Sequence, residues 1–116
     1  MRKSLKINQS GIGVDIVDLN RINIHNHHFI NRILSEEEIM VFNAFYSDRR
    51  KLEFLGGRFA AKEAFLKACH KGLGEIPFKD IIILNDENGA PYINCDNAMI
   101  SISHEQDYVI AFIVIK

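Results

Sequence analysis

The stretch Phe54-Leu55-Gly56-Gly57-Arg58-Phe59-Ala60-Ala61-Lys62-Glu63-Ala64-Phe65-Leu66-Lys67-Ala68-Cys69 decides the fold. Twelve of its sixteen residues are apolar or glycine, and the exceptions are Arg58, Lys62, Glu63 and Lys67. At about 100° per residue, Phe54, Ala61, Phe65 and Ala68 share one helical face, and Leu52, Leu55, Phe59 and Leu66 share another. Gly56, Gly57, Ala60 and Ala64 form a third strip of small side chains, which admits a second backbone or a ligand at close range. A helix apolar on most sides is a central helix. Asp48 is placed to cap it, and the pattern predicts a helix from about Asp48 to His70, roughly 35 Å long, ended by Gly72 and Gly74.

Outward from this helix the signals are shorter. On its N-terminal side, Ser10 to Val17 reads as a strand with Ile12, Val14 and Ile16 on one face and Asp15 on the other. Asp18 can cap a short helical piece through Arg21 and Ile22, and Phe29 to Leu34 reads as a second piece. Ser35 with Glu38 makes a capping box that opens a helix through Ile39, Val41, Phe42 and Phe45. On the C-terminal side, Ile81 to Leu84, Pro91 to Cys95, Met99 to Ser103 and Tyr108 to Ile115 read as strands, with a turn at Asn85 to Gly89. Helices followed by antiparallel strands predict an α+β fold, with the long central helix packed on an antiparallel sheet. The near-continuous apolar run Tyr108 to Ile115 predicts a strand covered on both faces, by the helix on one side and another subunit on the other.

Composition bounds the function. The 116 residues are one domain's worth, 1–116, with 47% apolar and 25% charged residues, which is ordinary for a globular fold. Fourteen Lys and Arg against fifteen Asp and Glu give a net charge of −1, which disfavours a strongly basic nucleic-acid binder. Cys69 and Cys95 form no CxxC pair, so a disulfide framework and a cysteine zinc site are excluded and a reduced, cytoplasmic setting fits. No signal peptide or membrane-spanning run is readable.

The charges on the long helix need partners, because unpaired burial is costly. Glu63 and Lys67 stand four apart and can meet as an ion pair. The alternative joins Glu63 to Asp15, the isolated carboxylate of the first strand. Two such carboxylates are a usual protein share of a Mg²⁺ site, whose remaining ligands are water and substrate phosphate. Both readings stand on spacing alone.

Gly11-Ile12-Gly13-Val14-Asp15-Ile16 with Arg21-Ile22, then Gly57-Arg58-Phe59-Ala60-Ala61-Lys62-Glu63-Ala64-Phe65 with Lys67, then Ser101-Ile102-Ser103-His104, resemble three motifs of one family. In order and spacing they are similar to the holo-[acyl-carrier-protein] synthases, the small trimeric 4′-phosphopantetheinyl transferases, from about Gly11 to Lys116. The resemblance implies transfer of the phosphopantetheine arm of coenzyme A to a serine of apo acyl carrier protein, releasing adenosine 3′,5′-bisphosphate. It implies Asp15 and Glu63 as Mg²⁺ ligands, and Lys62 and Lys67 as point charges near the phosphates. It also implies Arg58 and His104 on coenzyme A phosphates, and Gly72-Leu73-Gly74 as the loop beside the nucleotide. The proton acceptor is left open between metal-bound water and a relay through Glu63 or Lys67. A noncatalytic module that binds coenzyme A or a carrier protein is the competing reading. The retained Asp15, Glu63, Lys62 and Lys67 favour catalysis over it.

The remaining candidates are weaker. His25, His27 and His28 have no fourth ligand spaced nearby and read as a solvated loop, shorter than the corresponding family segment. Cys69 and Cys95 read as packing residues. Gly11-x-Gly13 lacks the third glycine and the βαβ context of a dinucleotide fingerprint. An acidic carrier protein would need a local basic patch, for which Arg21, Arg32, His28, Arg49 and Arg50 are the candidates.

Overall fold

The computed structural model describes residues 3–71 and 75–116. The chain runs β1 (Gly11–Asp18), α1 (His27–Ile33), α2 (Glu36–Ala44), α3 (Asp48–Ala68), β2 (Ile83–Asn85), β3 (Pro91–Ile93), β4 (Ala98–Glu105) and β5 (Tyr108–Ile115). Short 3₁₀ turns stand at Leu19–Arg21, where Asp18 accepts from the amide of Asn20, and at Phe78–Asp80. The antiparallel sheet has the order β1-β5-β4, and β2 pairs with β3 in a separate two-stranded sheet. The α+β architecture expected from the sequence is the one observed.

The cap of helix α3 lies one residue before the expected one. The Ser47 hydroxyl accepts from the amide of Arg50 at 3.0 Å, and Asp48 is the first helical residue, where a negative charge favours the helix N-terminus. Its end also differs from expectation. His70, not glycine, takes the left-handed conformation at φ 58°, and the amides of His70 and Lys71 bond the carbonyls of Lys67 and Leu66. That pairing satisfies two of the last free carbonyls of the helix. Gly72, Leu73 and Gly74 lie outside the described residues.

Alternation in β1 and β5 assigns their faces. Val109, Ala111, Ile113 and Ile115 of β5 are buried on α3 with Gly13 and Val17 of β1. The more hydrophobic face of β1 points away: Ile12 is 63% and Ile16 61% exposed, beside exposed Ile110 and Phe112 of β5. The small residues face the helix because it lies too close for larger ones. A Cβ added to Gly11 would overlap the carbonyl oxygen of Ala68, and one on Gly13 that of Ala64.

A second apolar cluster, with Ile30, Ile33, Leu34, Phe42, Phe54 and Leu55, fixes α1 and α2 against the first half of α3. The capping box of α2 forms as read: Glu38 N donates to Ser35 Oγ and Ser35 N to Glu38 Oε1. Ile81 and Ile82, expected in a strand, precede β2: Ile81 closes the turn after Phe78, and the Ile82 amide donates to the Asn94 side chain at 2.8 Å. Among the described residues, no helix is long and apolar enough to cross a membrane.

Candidate active site

Asp15 owes its position to the glycine two residues before it. Gly13 lets β1 lie on the backbone of α3 at Ala64, and Ala64 adjoins Glu63. The strand and the helix thereby aim one carboxylate each into a cleft of about 560 Å³, whose lining includes Arg21, Phe29, Phe59 and Tyr108. Phe29 and Phe59 form an edge-to-face pair with centroids 5.3 Å apart, giving the cleft an apolar wall.

The electrostatics couple the two acids. Burial pushes the Glu63 carboxyl above its ordinary value, the Asp15 carboxylate pushes it further, and Lys67 draws it back. Lys67 Nζ donates to Asp15 Oδ1 at 3.2 Å and to the Val14 carbonyl at 3.0 Å. The hydrogen-bonded ion pair of Lys67 is therefore with the strand carboxylate, not with Glu63 four residues earlier as helical spacing predicts. Asp15, Glu63 and Lys67, expected together, are together.

Lys62 differs from expectation. Its side chain is fully enclosed, and Nζ donates to Glu38 Oε1 at 2.5 Å, Ile33 O at 2.7 Å and Phe78 O at 2.9 Å. Those three bonds use every donor of an ammonium group, so none remains for a phosphate. Burial lowers its pKa to about 8 against the pull of Glu38, which leaves it charged at neutral pH. Lys62 is a strut joining the ends of α1 and α2 to α3.

Arg58 and His104 meet elsewhere, in a second cleft of about 520 Å³ that also includes Gly57 and Asn85. Arg58 is buried, stacks over the Phe54 ring at 4.2 Å, and donates from Nε to Ile83 O at 3.1 Å and from Nη2 to Asn85 Oδ1 at 2.5 Å. Burial lowers its pKa to about 10, opposed by Glu38, so it keeps its charge. His104 Nε2 lies 3.3 Å from the carbonyl of Glu53. Among the described residues, the two clefts share no lining side chain. The expected loop Gly72 to Gly74 cannot be placed in either, since it lies outside the described residues.

Of the basic candidates, Arg21 is exposed at the first cleft, Arg32 lies over Phe29, and Arg50 lies over Phe45. Arg49 is engaged by Glu53 and the carbonyl of Gln106. His28 is exposed on α1. Sequence reasoning missed Asn85, read as a turn residue, and the wall residues Phe29, Phe59 and Tyr108, which no local pattern separates from packing aromatics. It identified Glu38 only as a cap.

A family profile for the 4′-phosphopantetheinyl transferase superfamily matches residues 11–113. The chain is 48% identical over 114 residues to a holo-[acyl-carrier-protein] synthase of Geobacillus sp. (strain WCH70), covering 91% of this chain and 95% of that one. The fold is similar to that of a Bacillus anthracis holo-(acyl-carrier-protein) synthase solved in complex with CoA (3′,5′-ADP), with a TM-score of 0.82, 41% identity, and coverage of 90% and 94%. It is also similar to the Helicobacter pylori holo-[acyl-carrier-protein] synthase in complex with coenzyme A, with a TM-score of 0.77, 32% identity, and coverage of 90% and 99%.

Proposed function

Because the chain belongs to the 4′-phosphopantetheinyl transferase superfamily, among its holo-[acyl-carrier-protein] synthases, we propose that it transfers the 4′-phosphopantetheine arm of coenzyme A to a serine of apo acyl carrier protein. The bond that forms joins the serine oxygen to phosphorus, and the bond that breaks is the pyrophosphate P–O bond, releasing adenosine 3′,5′-bisphosphate. The observation that carries this reading is the pair Asp15 and Glu63, held from a strand and a helix on one cleft and electrostatically coupled.

Among the described residues, no cluster of three or more His, Cys, Asp or Glu side chains is arranged for a metal ion. Two carboxylates fit a hard cation that takes the rest of its shell from water and phosphate, so Asp15 and Glu63 would hold Mg²⁺. When bound, the cation supplies charge neutralisation on the pyrophosphate and assists the leaving group. Lys67, more than half exposed at its side chain, has the freedom to turn toward a phosphate. Glu63 or Lys67 would relay the serine proton. Arg58 and His104 would hold coenzyme A phosphates, and Arg21 lies where an acidic carrier protein would approach.

Two separated clefts and an exposed apolar sheet face support one assembly. Packing the Ile12, Ile16, Ile110 and Phe112 face against neighbouring copies would bury it, and a site shared between chains would draw on the Asp15–Glu63 cleft of one and the Arg58–His104 cleft of the next. We assign a homotrimer with shared sites on that basis and on the family resemblance. The experiment is to mix the protein, Mg²⁺, coenzyme A and an apo carrier protein, and weigh the carrier. A mass gain of one phosphopantetheine, lost by orders of magnitude in Glu63→Gln, is the expected result. An unmodified carrier refutes the activity, and a fully active Glu63→Gln refutes the ligand assignment.

A further inference from the structure

We propose that Glu38 is a positioning residue for Arg58, holding that guanidinium at the second cleft through strand β2. The inference rests on the reading of Arg58 as a coenzyme A contact and adds the residue that keeps it in place.

Glu38 is completely buried, and its bonds lead in one direction. Oε1 accepts from Ser35 N at 2.8 Å and from Lys62 Nζ at 2.5 Å, which fixes the carboxylate between α2 and α3. Oε2 accepts from the amide of Ile83 at 2.8 Å. The carbonyl of that same residue accepts from Arg58 Nε at 3.1 Å, and Asn85, two residues along β2, accepts from Nη2. Glu38 therefore grips the amide of the residue whose carbonyl grips Arg58. These bonds use two of the five N–H groups of Arg58, and the cleft is where the others can meet an anion.

Charge supports the same role. Glu38 faces both buried cations, Lys62 and Arg58, and opposes the loss of charge that burial imposes on each. A capping function alone requires only the bond from Ser35 N. The contact with β2 lies outside the cap, and it is the part that reaches Arg58.

A double-mutant cycle tests the inference. Wild type, Glu38→Gln, Arg58→Met and the double variant are titrated calorimetrically with coenzyme A at fixed Mg²⁺, with melting curves to establish that each is folded. Glu38→Gln should weaken coenzyme A binding about tenfold, and the double variant should bind no more weakly than Arg58→Met alone. A merely structural Glu38 would weaken binding by the same factor in both backgrounds, which overturns the proposal, as does a Glu38→Gln protein that binds like wild type. Wild type that fails to bind coenzyme A overturns the reading of the site and this inference with it. If Glu38→Gln does not fold, the stranded ammonium is removed by repeating the cycle with Lys62→Met in all four proteins. Coupling between positions 38 and 58 is again the expected result, and multiplying effects again overturn it.

Discussion

Gly13→Ala should damage the site through the backbone, without changing any side chain in the cleft. The new Cβ would stand 2.8 Å from Ala68 N and closer still to the Ala64 carbonyl oxygen, against an ordinary approach of 3.4 Å or more. Neither neighbour is the end of a flexible side chain, so β1 and α3 must separate by roughly an ångström. Overpacking of this kind costs about 1–3 kcal/mol. For a domain of this size that lowers Tm by about 4–12 °C. Asp15, two residues along the strand, moves away from Glu63 with it, and a misplacement of about 1 Å can cost on the order of a hundredfold in turnover. The assay pairs scanning calorimetry with initial rates of carrier-protein modification, measured well below the variant's Tm. Wild-type Tm and rate would refute the packing argument. A lowered Tm with an unchanged rate per folded molecule would refute the claim that Gly13 positions Asp15.

Gly57→Ala should do the opposite to stability. Its Cβ would meet Ile102, His104 and Val109 at 3.6–3.8 Å, ordinary contact distances, so replacing a mid-helix glycine should raise stability by about 0.5–1 kcal/mol, read as a higher Tm. In the metal-free protein the Glu63 carboxyl, followed by NMR, should titrate above the ordinary glutamate range, because burial and Asp15 favour its protonated form. The folded state then binds more protons than the unfolded one, so this group's contribution to stability is present at low pH and lost as pH rises through the raised value. Mg²⁺ competes with that proton, so its affinity should increase over the same window and the midpoint should fall when it is added; a midpoint indifferent to Mg²⁺ would count against Glu63 as a ligand. Phe112→Asp should reduce the assembly to a 13.3 kDa particle in light scattering and lower the transfer rate, whereas a wild-type particle of that mass at micromolar concentration would remove the oligomer.

Much of this was legible locally. The order of the elements, the length of α3 within two residues, the capping box at Ser35 and the ends of β5 follow from period, caps and turns, which are properties of neighbouring residues. The choice of buried face in β1 does not. Alternation separates Ile12, Val14 and Ile16 from Gly13 and Asp15, but hydrophobicity favours burying the wrong set. The deciding quantity is the distance between a strand and a helix some fifty residues later in the chain, and the motif glycines are its trace in the sequence. Lys62 departs from its expected place near the phosphates for a similar reason. Its place in a charged motif is visible locally, whereas its partner Glu38 and the carbonyls of Ile33 and Phe78 are brought to it only by tertiary packing. The pairing of Asp15 with Lys67 likewise crosses from strand to helix, where helical spacing has nothing to say.

The sheet order β1-β5-β4 has a consequence for how the protein is made. Among the described residues, strand β1 is an edge strand whose one sheet neighbour is β5, and Asp15 stands opposite Ala111 in that pairing. Closing this ladder joins the two most distant strands in the chain, and contacts of such high sequence separation are slow to form because the loop entropy is lost before they repay it. A nascent chain can complete α3 and the capping box of α2 well before β5 emerges, yet β1 then has no strand to pair with. The Asp15–Glu63 site should therefore form late in folding, after most of the helical signal. Refolding followed by far-UV dichroism should run ahead of refolding followed by recovery of the Asp15–Glu63 site.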